Sequence, residues 1–317
     1  MRTAIILVTY NGWKMTQECL RDLSAQLADN EHFVVAVADN ASTDGTPENI
    51  GNEFPAVRVY RCGGNLGFGR ANNLAIRSLL RDGEEFDAIC LLNNDTRLDS
   101  RTIPQLREAL DHQLKECSRA IVVPLVKNPD GSDQPNYFAG LGPEGIGCTA
   151  FLTNALRNES QAAKILQGNP RFQGDYAETH WASGVCWMLG RALYDELEAN
   201  GGFFDEKIFM YYEDADLALR ARKLGARFFI CKQVALTHLG GGSSEGNLNR
   251  ALQHDRAQQY VFRKHFGFRG YMLSKTFRFS RSLVRIAASI PRCFGPKGKQ
   301  KRSYIRHHLS LIKEALW

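Results

Sequence analysis

Three clusters of side chains in this chain of 317 residues have the types and spacing to do chemistry. The stretch "LLNNDT" (91–96) ends an apolar run in two amides and a carboxylate, Asn93, Asn94 and Asp95. Phosphates bound at such an end need their charge neutralised, and a hard divalent cation held by one or two carboxylates does this. The same triplet is also ordinary turn chemistry. In "FMYYEDADLALR" (209–220), Glu213, Asp214 and Asp216 crowd the first turn of a helix, where the macrodipole favours negative charge and capping explains part of the pattern. Asp216 and Arg220 are four apart and pair on one helix face, which makes Asp216 structural. Asp214 has no such partner in sequence and suits a general base that deprotonates a hydroxyl. His238 closes the run "FFICKQVALTH" as Asp95 closes its own. A lone histidine is more often structural than a ligand, but two such donors at strand ends suit one shared cation.

Weaker signals accompany these. "GGNLGFGRANN" (63–73) matches neither a Walker A loop nor a dinucleotide fingerprint, although its glycines would let the backbone approach a ligand. Its Arg70 suits an anion or the face of a base, or is a solvated arginine at a helix start. Asp39 suits hydrogen bonds from a base or ribose, or initiates the Asx turn of "DNAST". "GSSEG" (242–246) fits the nucleophile-elbow pattern, but the later acid and histidine would have to come from a short basic tail. A hydrolase is therefore disfavoured.

Alternating strands and helices must position these residues. "TAIILV" (3–8), "HFVVAVA" (32–38), "VRVYRC" (57–62), "FDAICLL" (86–92) and "AIVVPLV" (120–126) read as buried strands. Leu20, Leu23 and Leu27 lie at helical spacing, as do Ala71, Leu74, Ala75 and Leu79, with Gly83 as the stop. A helix is expected near 103–116, and "DNASTDGTPEN" reads as turn. "WASGVCWML" (181–189) and "RFFICKQVALTH" (227–238) return to strand; "RALYDELEANGG" and "DADLALRARKLG" are helices with glycine stops. Residues 128–180 read as long loops with some helix. The pattern is α/β, a mostly parallel sheet flanked by helices, on which ligands bind at the carboxyl ends of the strands. The polar clusters that follow the first four strands lie at such ends.

Charge divides the chain. Residues 1–255 carry 25 Lys+Arg against 33 Asp+Glu, whereas residues 256–317 carry 15 Lys+Arg and one acid, Glu314. In "TFRFSRSLVRIAASIPR" (276–292), Phe279, Leu283, Ile286 and Ile290 stack on one helical face, opposite Arg278, Arg281, Arg285 and Arg292. That is the pattern of an interfacial helix on anionic lipid, and "PKGKQKR" (296–302) extends it. The alternative is a helix packed on the protein with a solvated basic face. No zinc-finger, RNP or helix-turn-helix signal supports a nucleic acid partner. Eight cysteines without ligand spacing argue against a zinc ribbon or disulfide framework, and fit a reducing compartment. No secretory signal or membrane span is read. The expected location is the cytoplasm, peripheral on the inner face of the cell membrane.

In order, "VTYNG", "VADNASTDGT", "NLGFGRANN", "LLNNDT", "ASGVCWMLG", "GGFFDEKIFMYYEDADLALRARKLG" and the His238 that follows them resemble the inverting glycosyltransferases of family 2, especially the rhamnosyltransferase-like members. The resemblance covers roughly residues 3–245. It implies a GT-A (Rossmann-like) catalytic domain over 1–250, with a nucleotide-sugar half (1–127), an acceptor half (128–250) and a basic amphipathic helical extension (251–317). It implies a nucleotide loop of Thr9, Tyr10 and Asn11, with Tyr10 against the base, and Asp39 reading the base edge. Asn65, Arg70 and Asn94 join the donor site. Asn93, Asn94 and Asp95 take the place of an Asp-x-Asp metal motif, His238 is a second metal ligand, and Asp214 is the base. Trp181, Ser183, Gly184 and Glu213 are expected at the acceptor; Trp181 would stack on a sugar or pack in the core. The cofactor implied is Mg2+ or Mn2+, with affinity reduced because Asn93 removes a charge. The partners implied are a nucleoside-diphosphate sugar, dTDP-L-rhamnose before a UDP-hexose, and a glycan or lipid-linked glycan. An anionic membrane surface met by residues 276–306 and a homodimer complete the expectation.

Overall fold

The computed structural model describes residues 2–27, 32–138, 140, 170–240, 248–290, 305–306, 309–310 and 312–313. These fall into two compact units, one within 1–137, 169–209 and 213–241, the other within 138–168, 210–212 and 242–317.

The first unit opens with β1 (Thr3–Thr9), α1 (Trp13–Leu27), β2 (Phe33–Asp39), α2 (Thr46–Glu53), β3 (Arg58–Arg61), α3 (Phe68–Arg81) and β4 (Ala88–Leu92). The short β5 (Thr96–Leu98) precedes α4 (Thr102–Glu116) and β6 (Ala120–Lys127). Then come β7 (Asp133–Gln134), β8 (Tyr137–Phe138), β9 (Tyr176–Thr179), β10 (Trp181–Ala182) and β11 (Cys186–Gly190). The unit closes with α5 (Arg191–Ala199), α6 (Glu213–Lys223) and β12 (Arg227–His238).

The main sheet runs β3-β2-β1-β4-β11-β6-β12-β5. β3, β2, β1 and β4 are parallel, as are β6 and β12, while β11 enters antiparallel between β4 and β6. Every residue of β4 and β11 is buried, because helices cover both faces of a central strand. Cys19, Leu20 and Leu23 of α1 and Ala71, Ala75, Ile76 and Leu79 of α3 supply the inward faces; Leu74 is only half-buried. The glycine stops are as read. Gly83 (φ 81°) and Gly225 (φ 87°) take the left-handed conformation, and the next amide bonds back to Leu79 and Ala221.

Three sequence readings change. "DNASTDGTPEN" is not all turn: Thr46–Glu53 is a helix started by Pro47, with Asp44 accepting from Thr46 N–H (3.1 Å) and Thr46 Oγ1 (2.5 Å). "WASGVCWML" breaks into β10 and β11 at Ser183–Val185. The stretch read as loop before residue 180 holds β7, β8 and β9; residues 139 and 141–169 lie outside the described residues, as do "GSSEG" and "PKGKQKR".

The second unit contains α7 (Leu248–Ser289), broken at Gly267 (φ 66°, ψ −160°). The break folds the helix back on itself. Gly270 sits so close that an added Cβ would stand 2.4 Å from Phe266 Cβ. Arg278 pairs with Asp255 at 3.3 Å and is buried, which corrects its assignment to the exposed basic face. Burial of Ser274, Arg278 and Ser282 marks the inward stripe. Phe268 (71 % exposed), Met272, Phe279, Leu283 and Ile290 face outward, as the spacing predicted for the last three, whereas Ile286 of the same predicted face is half-buried. Among the described residues no helix is long and apolar enough to cross a membrane. In this unit Tyr211 (φ 69°) and Tyr212 (φ 62°) are left-handed, a strained conformation for bulky side chains. Gln258 donates to the Tyr212 hydroxyl (2.7 Å), and the His254 ring lies 5.0 Å from the Tyr212 ring.

Candidate active site

Sheet topology brings the sequence clusters to one edge. β1, β2 and β4 run parallel, so Thr9, Asp39 and Asn93 leave the sheet on the same side. β11 runs the other way, so its beginning lies beside the end of β4, and Asn93 N–H donates to Val185 O at 2.9 Å. β12 ends on that side too, with His238 opposite Thr96.

His238 Nε2 stands 3.2 Å from Asp95 Oδ1, and its Nδ1 is 2.8 Å from Gln134 Oε1. With Nδ1–H donated to the Gln134 oxygen, Nε2 presents a lone pair to a carboxylate. An imidazole held in that tautomer can ligate a cation through Nε2. This donor set, a carboxylate and an oriented imidazole, fits a divalent cation, and ligand oxygens would have to complete it. Among the described residues no group of three or more His, Cys, Asp or Glu is placed to hold a metal ion. Asn93 is half-buried, and its carbonyl accepts from Thr96 Oγ1 at 2.8 Å.

Asn94 turns inward. Its amide donates to Thr16 Oγ1 (2.9 Å) and Thr9 Oγ1 (3.3 Å), the two hydroxyls being 2.9 Å apart. Thr9 is buried, so its side chain braces the loop. Tyr10 is 54 % exposed beyond it. Asn11 adopts φ 48°, and its side chain accepts from Thr43 N–H at 2.7 Å, stitching the first loop to "DNAST". Asp39 is buried and accepts from Ser42 N–H at 3.2 Å, the Asx turn that the sequence left open. Asn65 makes a similar local turn, accepting from Gly67 N–H at 3.1 Å. Arg70 is exposed on the first turn of α3. Gly67 serves the protein's own packing: a Cβ there would meet Phe209 O at 1.8 Å, so only glycine fits.

Asp214 Oδ2 accepts from Gly184 N–H at 3.0 Å, and Oδ1 from Ala215 N–H at 2.7 Å. That bond carries the start of α6 to the loop before β11, and hence to the edge holding Asn93. Ser183 is pinned on both sides, its N–H donating to Asn136 O (2.7 Å) and its carbonyl accepting from Trp187 Nε1 (2.8 Å). Trp187 is the core tryptophan, whereas Trp181 is half-buried. Burial, and after it the charge of Asp214, pushes the Glu213 carboxyl up to about 8. Asp216 is fully buried and bonds Arg220 at 2.8 Å, as its spacing predicted.

Several supporting residues carried no sequence signal. Asn40 accepts from Leu66 N–H (3.1 Å) and donates to Gly67 O (3.1 Å), tying the glycine stretch to the end of β2. Asn136, Gln134 and Trp187 support the loops across the sheet. Only Asn40, inside the polar run after β2, was open to suspicion.

The fold is GT-A, that of glycosyltransferases using nucleotide sugars. It is similar to the mannosyltransferase of Pyrobaculum calidifontis in complex with GDP-Man and Mn2+ (TM-score 0.56, 15 % identity, 100 % of this chain and 87 % of that one). It is also similar to the N-terminal region of S. aureus TarS (TM-score 0.51, 14 % identity, 99 % and 91 %). Residues 4–197 match glycosyl transferase family 2, and the chain belongs to that family. It is a glycosyltransferase. Over 311 residues it is 29 % identical to the N-acetylglucosaminyl-diphospho-decaprenol L-rhamnosyltransferase of Mycobacterium tuberculosis, covering 91 % of this chain and 94 % of that protein. It is 24 % identical to the low-salt glycan biosynthesis hexosyltransferase Agl10 of Haloferax volcanii, covering 89 % and 78 %.

Proposed function

We propose that this glycosyltransferase moves L-rhamnose, with inversion, from dTDP-L-rhamnose to a hydroxyl of a lipid-linked glycan. The observation that carries the reaction is Asp214 bonded to Gly184 at the sheet edge that also gathers Asp95 and His238. The donor and acceptor follow the Mycobacterium tuberculosis relative, whose similarity runs nearly end to end in both chains.

In this reading Asp214 takes the proton of the acceptor hydroxyl. The freed oxygen attacks the anomeric carbon from the face opposite the diphosphate. The bond to the diphosphate oxygen breaks and its electron pair leaves with dTDP. One displacement gives inversion, through a transition state of oxocarbenium character. Asp95 and His238 would hold a divalent cation, which neutralises the departing diphosphate. In this reading the exposed Tyr10 and Arg70 would meet the nucleotide directly, with Asn11 holding the loop that presents Tyr10. Thr9, Asp39, Asn65 and Asn94 act through the loop conformations they hold, and Asn93 contributes to the shape of the turn. Trp181, Ser183 and Gly184 border the acceptor.

Titration calorimetry with dTDP, UDP and GDP, with and without Mn2+, tests this. The expected result is dTDP binding above the others, strengthened by Mn2+ about tenfold or more, with the enhancement lost in Asp95→Ala. Preference for UDP would replace rhamnose by a galactose- or glucose-type donor. Mn2+ enhancement that survives in Asp95→Ala would remove that residue from the cation site.

The outward apolar stripe of α7, from Phe268 to Ile290, supports peripheral attachment to anionic lipid, where a lipid-linked acceptor resides. Flotation with phosphatidylglycerol vesicles is expected to carry the protein upward. Replacing Phe279 and Leu283 with Ser should cut the bound fraction about tenfold. Equal flotation of the double variant would return this stripe to ordinary surface.

A further inference from the structure

Glu213 begins α6 immediately before Asp214, and the two carboxyls differ in what they are given. Asp214 accepts from two backbone N–H groups, hydrogen bonds suited to an anion. Glu213 Oε2 is buried and has no hydrogen-bond partner. An unpaired carboxylate is costly in such a place, and a neutral acid costs far less. Two neighbouring carboxyls also resist ionising together.

We propose that Glu213 is a positioning residue that stays protonated beside Asp214, so that the pair carries one negative charge and carries it on the base. The proposal rests on the reading of Asp214 as the base and adds what its neighbour must do. The raised Glu213 carboxyl agrees with this, its causes being burial first and the Asp214 charge second.

Among the described residues, the charged groups of α6's first turn and of the elements it packs against are accounted for as follows. Asp216, on the same helix, is neutralised by Arg220. α6 packs against β10, which is Trp181–Ala182 and has nothing to titrate, and against α5. The charged groups of α5 are paired: Arg191 with Asp195, Glu196 with Arg119 and Glu198 with Arg77. Tyr194, pushed up to about 12 by burial, is neutral.

The consequence concerns the donor. A nucleoside diphosphate is itself anionic, and a second carboxylate charge near the base opposes its binding. The donor KM of the native enzyme should therefore rise about tenfold as Glu213 ionises above about pH 8, while kcat changes by less than about twofold. Glu213→Gln imitates the neutral acid, so its KM should stay flat with pH over the range where the native value climbs. A KM that climbs equally in both proteins would overturn the proposal.

Stability provides an arm independent of turnover. The folded-state value is raised, so the folded chain holds the proton while the unfolded chain loses it from about pH 4.5 upward. Native stability attributable to this group therefore declines from about pH 4.5 to about 8 and then levels. The melting temperature of Glu213→Gln, relative to native, should climb over that window. A constant difference would mean an ordinary ionised glutamate. Infrared titration of the native carboxylic-acid C=O band, which needs no variant, must show one such group persisting to about pH 8. Its absence at pH 6 would likewise refute the idea. If Asp214→Asn left turnover intact, the base assignment would fail, yet the stability and infrared arms would still locate the proton.

Discussion

Asp214→Asn is expected to lower kcat about 10³-fold while leaving dTDP affinity within about threefold of native, the signature of a lost general base. The argument is geometric. Asn keeps one oxygen to accept from Gly184 N–H, so the junction between α6 and the loop before β11 persists. What disappears is the acceptor for the incoming hydroxyl's proton. The folded state should change little, because the side chain is only half-buried and one backbone bond is retained. Single-turnover transfer together with calorimetry of dTDP separates the two quantities. Normal turnover in the variant would move the base elsewhere, and parallel loss of turnover and affinity would make Asp214 a binding residue.

Two positions along the same helix, Asp216→Ala should do the opposite. We expect a loss of about 3–5 kcal/mol of stability, seen as a melting temperature lower by about 10 °C. Asp216 is fully buried, and its partner Arg220 also donates to Gly202 O (2.7 Å) and Phe203 O (2.5 Å). Removing the carboxylate leaves a guanidinium largely out of water with carbonyls but no counter-charge. Pairing Asp216→Ala with Arg220→Met should restore much of the loss, since both charges are then gone. A single variant that melts within about 2 °C of native would show the pair to be no more than a surface contact. Residues two apart on a helix point about 200° apart. That rotation lets one short acidic run present Asp214 to the Gly184 amide on one side and an internal brace on the other.

Much of this was legible in local pattern. Alternating apolar runs defined the strands, helical spacing defined α1, α3 and α6, and glycines marked the stops at Gly83 and Gly225. The Asp216–Arg220 pair followed from four-residue spacing, and the outward stripe at Phe279, Leu283 and Ile290 from the helical period. Each depends on neighbours within a few residues, which local geometry relates directly. Errors arose where that horizon was exceeded. Arg278 matched the basic face of an open helix, but the break at Gly267 folded α7 back and placed it against Asp255.

Sequence alone thus determined the central strands, the helices α1, α3, α4 and α6, the acidic start of α6 and the polar ends of β1, β2, β4 and β12. Tertiary structure alone decided that Asp95 and His238 stand 3.2 Å apart, through a strand order that inserts β11 between β4 and β6. It decided that Asn94 and Thr9 turn inward while Tyr10 stays exposed. It also buried one oxygen of Glu213 without a partner and gave Asp214 the Gly184 amide. The physical reason is common to all of these. Periodicity fixes which way a side chain leaves its own element, but desolvation and hydrogen bonding depend on atoms brought from distant elements, and those are set by the order of strands in the sheet.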